Sequence, residues 1–345
     1  MIKKFFRFLF FIGLIAAAIV GFLYYQNFVE PIVTTDGEDV VLYIKPGESA
    51  DAVATSLTEI GALDDPSNFK RLAEIKNYRG KNIVAGKYVI KDGFTNNQLI
   101  NHLRAGNGKE AVKVTIHLER DLKQLSGKLA ENLMLDSVSI YNWLSNPQKL
   151  ASIGYKPETV IALFIPNTYY LDWDISVDRL MDRMKKEYDQ FWNESRIAKL
   201  GRTGLSKTEV STLASIVYWE TKLPEDMRAI AGVYINRLNI GMPLQADPTL
   251  IFALGDYSIN RVLNKDKELN SPYNTYKFNG LPPGPILIPP VNCIDAVLDF
   301  GKHNFYYFVA KEDLSGETYF SRTLEEHVIF ARRYQNALDR RRVYR

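Results

Sequence analysis

Residues 206–239 read SKTEVSTLASIVYWETKLPEDMRAIAGVYINRLN. Ser206 and Glu209 have the spacing of a capping box, where the first side chain caps the helix and the second bonds back. The run that follows predicts a helix with Leu213, Ile216, Val217 and Glu220 at i, i+3, i+4 and i+7 on one apolar stripe. Pro224 stops this helix and leaves Glu220 in its last turn. A second helix is predicted over 225–239, with the stripe Met227, Ile230, Ala231, Tyr234 and Leu238. A glutamate at the buried end of an apolar stripe is partly desolvated, which raises its pKa. The negative end of the helix dipole acts in the same direction. A carboxylic acid kept protonated near neutral pH can serve as a general acid. A glutamate that simply reaches solvent at a frayed helix end fits the same periodicity. Tyr218 and Trp219 beside it offer aromatic faces of the kind that suit sugar rings.

Two polar segments lie downstream. Within NRLNIGMPLQADPTLIFAL (236–254), Asn236, Arg237, Gln245, Asp247 and Thr249 crowd polar groups into a short stretch. SPYNTYKFNGLPPGPI (271–286) adds Ser271, Tyr273, Asn274, Thr275 and Tyr276, and its prolines and glycines fix the backbone as a rigid loop. Amides, hydroxyls and aromatic faces without a cationic cluster describe a cleft for neutral carbohydrate.

Towards the N-terminus, Phe8 to Tyr25 (FLFFIGLIAAAIVGFLYY) contains no charged residue. As a helix this run spans about 27 Å, close to a bilayer core. Lys3, Lys4 and Arg7 precede it, while Glu30, Asp36, Glu38 and Asp39 follow. The positive-inside rule then predicts a cytoplasmic N-terminus and an extracytoplasmic body. The expected location is the plasma (inner) membrane, with the body periplasmic. A cleaved signal peptide is the competing reading, with an unusually long apolar region. Residues 26–39 read as a linker. The order β-α-α-β follows: strands at 40–44 and 86–90, helices at 49–60 and 66–75, the layout of a small peptidoglycan-binding module of the LysM type. A helix at 95–105, a strand at 112–118, helices at 121–134 and 137–145, an extended aromatic stretch at 162–171 and a long charged helix at 175–199 complete the chain before GRTG (201–204).

The expected fold is therefore α+β, with a single N-terminal transmembrane helix, a small βααβ LysM-like module and a larger mixed α/β catalytic domain. The expected divisions are a cytoplasmic stub (1–7), an anchor (8–25), a linker (26–39), the module (40–105), an intermediate region (106–200), the catalytic domain (201–335) and a basic tail (336–345).

Composition agrees. The 345 residues are 46% hydrophobic and 24% charged, which excludes a disordered chain. A net charge of +3 argues against a nucleic-acid partner. The single cysteine, Cys293, excludes a disulfide framework and suits an oxidising exterior. His102, His117, His303 and His327 show no metal-binding spacing, and no metal or cofactor is expected. Ser67-Asn68-Phe69-Lys70 matches the S-x-x-K pattern of penicillin-binding enzymes, but no K-T-G follows, so it reads as a chance match. The arginines from Arg332 to Arg345 read as a solvated helix end.

At LASIVYWET, VYINRLNIGMPLQADPTLIFAL, SPYNTYKFNGLPPGPI, YYFVA and SRTLEEH, in that order and spacing, the sequence resembles the YceG-like (MltG-type) endolytic murein transglycosylases. The resemblance covers about residues 40–335. It implies cleavage within peptidoglycan glycan strands to leave 1,6-anhydro-N-acetylmuramyl ends, limiting nascent strand length. It also implies association with peptidoglycan synthases of the division and elongation machinery. The family's catalytic glutamate, in an ET dipeptide after the ASIV helix, falls on Glu220. Substrate contacts are expected from Thr221, Gln245, Asp247, Thr249, Tyr273, Asn274, Thr275 and Tyr276. Three positions depart from the family's frequent pattern. Tyr218 replaces an acidic residue two positions before the catalytic glutamate, Asn167 replaces an acidic residue before Thr168-Tyr169, and Thr318 replaces a histidine.

The implied chemistry needs one carboxyl. Ordinary glycosidases need two, whereas in a lytic transglycosylase the substrate's own C6 hydroxyl is the nucleophile. Asp247 as a second carboxylate keeps a hydrolytic muramidase open. A catalytically silent wall-binding scaffold is the alternative from another class.

Overall fold

The computed structural model describes residues 2–259 and 261–341. The chain is mixed α/β and divides into two compact units. The first comprises residues 1–113, 132–134 and 170–175, and the second residues 114–131, 135–169 and 176–345.

The chain begins with α1 (Ile2–Phe28), long and apolar enough over Lys3–Phe28 to cross a membrane, with mean hydropathy 2.4. Its Phe, Leu and Ile side chains are exposed, unlike those of a core helix. After it come β1 (Val40–Ile44), α2 (Ala50–Glu59), α3 (Ser67–Ile75), β2 (Gly86–Ile90), α4 (Asn96–Leu103) and β3 (Lys109–Ile116). Strands β1 and β2 pair antiparallel with Leu42 opposite Tyr88 and Ile44 opposite Gly86. Their alternation puts Leu42, Ile44, Tyr88 and Ile90 on one face. That face packs on Val53 and Leu57 of α2, Phe69 and Leu72 of α3, and Leu99, Ile100 and Leu103 of α4 in one buried cluster. Side-chain caps start the helices. Ser49 accepts from the Ala52 amide at 3.2 Å to cap α2, and Thr95 and Gln98 form a capping box on α4.

The second unit carries α5 (Leu122–Ala130), α6 (Ser137–Leu144) and α7 (Pro147–Ser152), then a 3-10 turn at Val160–Leu163. Next in the chain come β4 (Asn167–Asp172), whose residues 170–172 belong to the first unit, and then, in the second, α8 (Val177–Phe191), α9 (Glu194–Thr203), α10 (Lys207–Glu220), α11 (Pro224–Asn239), α12 (Asp247–Leu254), α13 (Val291–Leu298), β5 (Tyr307–Ala310), β6 (Thr318–Ser321) and α14 (Leu324–Arg340). The strand order is β1-β2-β3-β4 in one sheet and β5-β6 in a separate antiparallel hairpin.

Helix α10 is the centre of this unit and packs against α11, α12 and α13. Every residue from Val210 to Val217 is buried, so α10 is covered all round rather than along one stripe. Its buried hydroxyls bond back into the helix: Thr212 donates to Thr208 O at 2.9 Å and Ser215 to Thr212 O at 2.6 Å.

The structure differs from the sequence reading at several points. The stretch at 175–199 is two helices, broken at Trp192, because the Asn193 side chain accepts from the Arg196 amide and starts α9 afresh. Helix α9 runs through 200–201 and is clamped to α13 by a two-bond Arg196–Asp295 pair (2.9 and 3.1 Å) and by Lys199–Asp299 at 2.6 Å. The segment 162–171 is strand only from Asn167, its first residues belonging to the 3-10 turn. Residues 336–340 continue α14, and residues 342–345 of the expected basic tail lie outside the described residues.

Candidate active site

Glu220 is the last residue of α10. The capping box at the start of the helix is present, with Ser206 accepting from the Glu209 amide and Glu209 from the Ser206 amide. Thr221 leaves the helix in an extended conformation and its hydroxyl accepts from the Leu223 amide at 3.1 Å. That turn admits Pro224 as the first residue of α11, which packs back along α10. The glutamate therefore faces the helix that follows it.

Oε1 of Glu220 accepts a hydrogen bond from the Tyr234 hydroxyl at 2.7 Å. Tyr234 is 1% exposed, and its ring meets Phe308 of β5 edge-on at 5.6 Å. Loss of water around the Glu220 carboxyl pushes its pKa from 4.5 up to about 7. Donation from Tyr234 opposes this, the negative charge of Asp247 adds to it, and the positive charge of Arg237 opposes it. The direction expected from the sequence is thus present, with desolvation as the main cause.

Arg237, 6% exposed, is held between two backbone carbonyls, Tyr306 O at 2.6 Å and Leu244 O at 2.5 Å. Asn236 likewise donates to His303 O and Phe305 O at 2.8 and 3.0 Å. These two side chains of the polar stretch are ties between α11 and the strand β5 segment.

Asp247 opens α12, and the hydroxyl of Tyr276 donates to its Oδ1. Burial of the carboxylate raises the Asp247 pKa, with the Tyr276 bond and the Lys267 charge opposing. Tyr276 is half-buried beneath the Lys267 ammonium, 4.6 Å from its ring centre.

The remaining expected contact residues fall into two groups. Thr249, Asn274 and Thr275 are buried, with their polar atoms committed to the chain. Asn274 donates to Lys267 O and Leu269 O, both at 2.8 Å, and accepts from the Tyr276 amide. Thr275 accepts from the Ala246 amide at 3.0 Å and meets the Thr249 hydroxyl. These three build the frame on which Asp247 and Tyr276 stand. Gln245 is exposed and held at φ 50°, a left-handed conformation rare outside glycine, by its amide bond to Thr275 O. Tyr273 packs on Phe252 at 4.7 Å.

Tyr273 also lines a groove of about 1090 Å³ with Lys156, Glu158, Thr208, Thr212 and Pro283. Glu220 is not on its lining; Thr212 lies eight residues earlier in α10, about 12 Å away along the axis. The rigid GLPPGPI loop closes on this groove, and only glycine fits at Gly284, where a Cβ would stand 1.8 Å from Glu158 O. Chemistry rather than cavity size marks the Glu220 site.

Two neighbours were not expected as site residues. Tyr234 reads in the sequence as one more residue of an apolar stripe, although a buried phenol needs a hydrogen-bond partner. Arg120 lies between the rings of Trp219 (5.1 Å) and Tyr257 (4.1 Å), fixing the aromatic residue next to Glu220. Among the described residues no group of His, Cys, Asp and Glu could hold a metal ion.

A YceG-like family model matches residues 42–333. A Bacillus subtilis protein named endolytic murein transglycosylase is 29% identical over 322 residues, covering 89% of this chain and 88% of that protein. A Streptococcus pneumoniae protein of the same name is 28% identical over 355 residues, covering 93% of this chain and 63% of that protein. The crystal structure of a yceG-like protein from Listeria monocytogenes aligns with TM-score 0.55 and 30% identity, covering 85% of this chain and 98% of that one.

Proposed function

The chain belongs to the YceG-like family, and from that premise we propose that it is a membrane-anchored lytic transglycosylase cleaving within peptidoglycan glycan strands. The observation that carries this reading is Glu220, a desolvated carboxyl with a pKa of about 7 beside the Tyr234 hydroxyl.

In the proposed reaction, protonated Glu220 gives its proton to the glycosidic oxygen as the bond from C1 of N-acetylmuramic acid breaks. The oxocarbenium-like centre at C1 is then attacked by the C6 hydroxyl of the same sugar. Glu220, now a carboxylate, takes the hydroxyl proton. The C1–O6 bond replaces the C1–O4 bond, no water is consumed, and Glu220 ends protonated. A pKa near 7 suits both transfers, since the group must give and recover a proton at one pH. Asp247, Tyr276, Gln245 and Tyr273 are the proposed substrate contacts, being exposed or half-buried polar side chains; Tyr273 lies on the separate groove rather than beside Glu220. Thr221, Thr249, Asn274 and Thr275 act through the backbone they hold.

The β-α-α-β order of residues 40–90 supports a LysM-like role for the first unit in positioning the strand. Deletion of residues 40–105 with the anchor kept tests this; undiminished activity on long strands contradicts it. Lys3, Lys4 and Arg7, in the first turns of α1 ahead of its uncharged run, support a cytoplasmic N-terminus and a periplasmic body at the inner membrane. Peptidoglycan synthases are the proposed protein partners, and cutting of nascent strands beside them would limit strand length.

One observation favours a second reading. The Asp247 charge is close enough to raise the Glu220 pKa, so two carboxyls share the site. A hydrolase on the same bond would use Asp247 to activate water. Glu220→Gln assayed on purified glycan strands tests the acid assigned in both readings: release of products should be abolished, and unchanged release contradicts the assignment.

A further inference from the structure

The Tyr234–Glu220 bond has three properties that bear on how the carboxyl works. First, its geometry is fixed. Tyr234 is buried in α11 and its ring is wedged against Phe308. The helix is itself locked two residues earlier, where a Cβ on Gly232 would stand 2.3 Å from Gly301 O. Second, the phenol donates to Oε1 at 2.7 Å, so the proton available for transfer resides on Oε2. Third, the bond strengthens when its acceptor becomes charged. It therefore stabilises the carboxylate more than the acid, against the desolvation that favours the acid.

The geometry points to Tyr234 as the positioning residue of Glu220: its hydroxyl fixes which carboxyl oxygen carries the proton and stabilises the carboxylate that exists between the two proton transfers. This rests on the reading of Glu220 as general acid and then base. The other groups facing Glu220 are Arg237 on α11, Asp247 on α12 and the Tyr276 hydroxyl, which is tied to Asp247. Arg237 in turn faces Tyr307 of β5 and His327 of α14. None of these donates to Glu220 in place of Tyr234, because Arg237 is committed to two carbonyls and Tyr276 to Asp247.

The test uses the full chain in detergent and purified glycan strands, with kcat, KM and melting temperature measured from pH 5 to pH 9. Tyr234→Phe keeps the ring and removes the donor. The expected result is a fall in kcat of about tenfold or more, KM within about twofold, and an alkaline limb displaced upward by about one pH unit. A residue that only fills the core would change stability and leave the limb where it is. A second variant, 3-fluorotyrosine at position 234, preserves the packing and strengthens the donor, so it should displace the limb to lower pH. Limbs that coincide with the wild type in both variants overturn the inference. Glu220→Gln in the same assay separates the two failures. Retained activity there removes the general-acid reading itself. An inactive Glu220→Gln with unmoved limbs at position 234 removes only the role of Tyr234.

Discussion

The hydroxyls of Thr249 and Thr275 meet at 2.9 Å inside the second unit, joining α12 to the loop that carries Tyr276. Thr275 is also the acceptor for the Ala246 amide, so one side chain fixes the start of α12 and the loop together. Thr275→Val removes the hydroxyl, leaving the buried Ala246 amide without its acceptor and breaking the contact with Thr249. The expected cost is about 1–3 kcal/mol in a denaturant titration, with activity falling as Asp247 and Tyr276 lose their register. An unchanged midpoint would mean that this frame does not hold the site.

The Glu220 pKa of about 7 against 4.5 in an unfolded chain makes stability depend on pH. The folded protein binds the proton more tightly, so the contribution is fully present below about pH 4.5 and is lost as pH rises through about 7. The loss amounts to about 3 kcal/mol at most. Glu220→Gln has no such ionisation, so its stability relative to the wild type should grow between pH 5 and pH 8. Parallel melting curves for the two proteins across that range would contradict a desolvated carboxyl.

These effects show what could be read from sequence and what could not. Strands β1 and β2, helix α2 and the Ser206–Glu209 box are local, and each follows from a short run of neighbouring residues. The placement of Glu220 at a helix end was legible for the same reason. The break between α8 and α9 was not, because an unbroken charged run masked the capping role of Asn193. Helix α12 was hidden because Asp247 and Thr249 read as loop polarity, although Pro248 near its start and Gly255 after its end are ordinary helix signals. The burial of Asn274 and Thr275 depends on partners across the fold, which periodicity does not carry. The same holds for Tyr234: its stripe says that it faces inward, not that it faces a carboxyl fourteen residues away.

Asp247 separates the two chemical readings. Its negative charge raises the Glu220 pKa, so Asp247→Asn should displace the alkaline limb of the rate profile to lower pH. In a transglycosylase the variant keeps much of its rate and still makes anhydro ends. A fall of about 10²–10⁴ would instead assign Asp247 the work of a general base.

Arg237→Met tests the tie beneath the site. The guanidinium is buried and supplies both Tyr306 O and Leu244 O. Methionine fills much of the volume and donates nothing, so about 2–5 kcal/mol of stability should be lost. A denaturation midpoint within error of the wild type would show that water takes over both carbonyls.

The central claim is that Glu220 transfers a proton without admitting water to C1. Mass spectrometry of the ends made by the full chain on purified glycan strands tests it most directly. The account predicts 1,6-anhydro ends from the wild type and no new ends from Glu220→Gln. Reducing ends, heavier by one water, would identify a hydrolase, and anhydro ends made equally by Glu220→Gln would place the catalytic acid elsewhere.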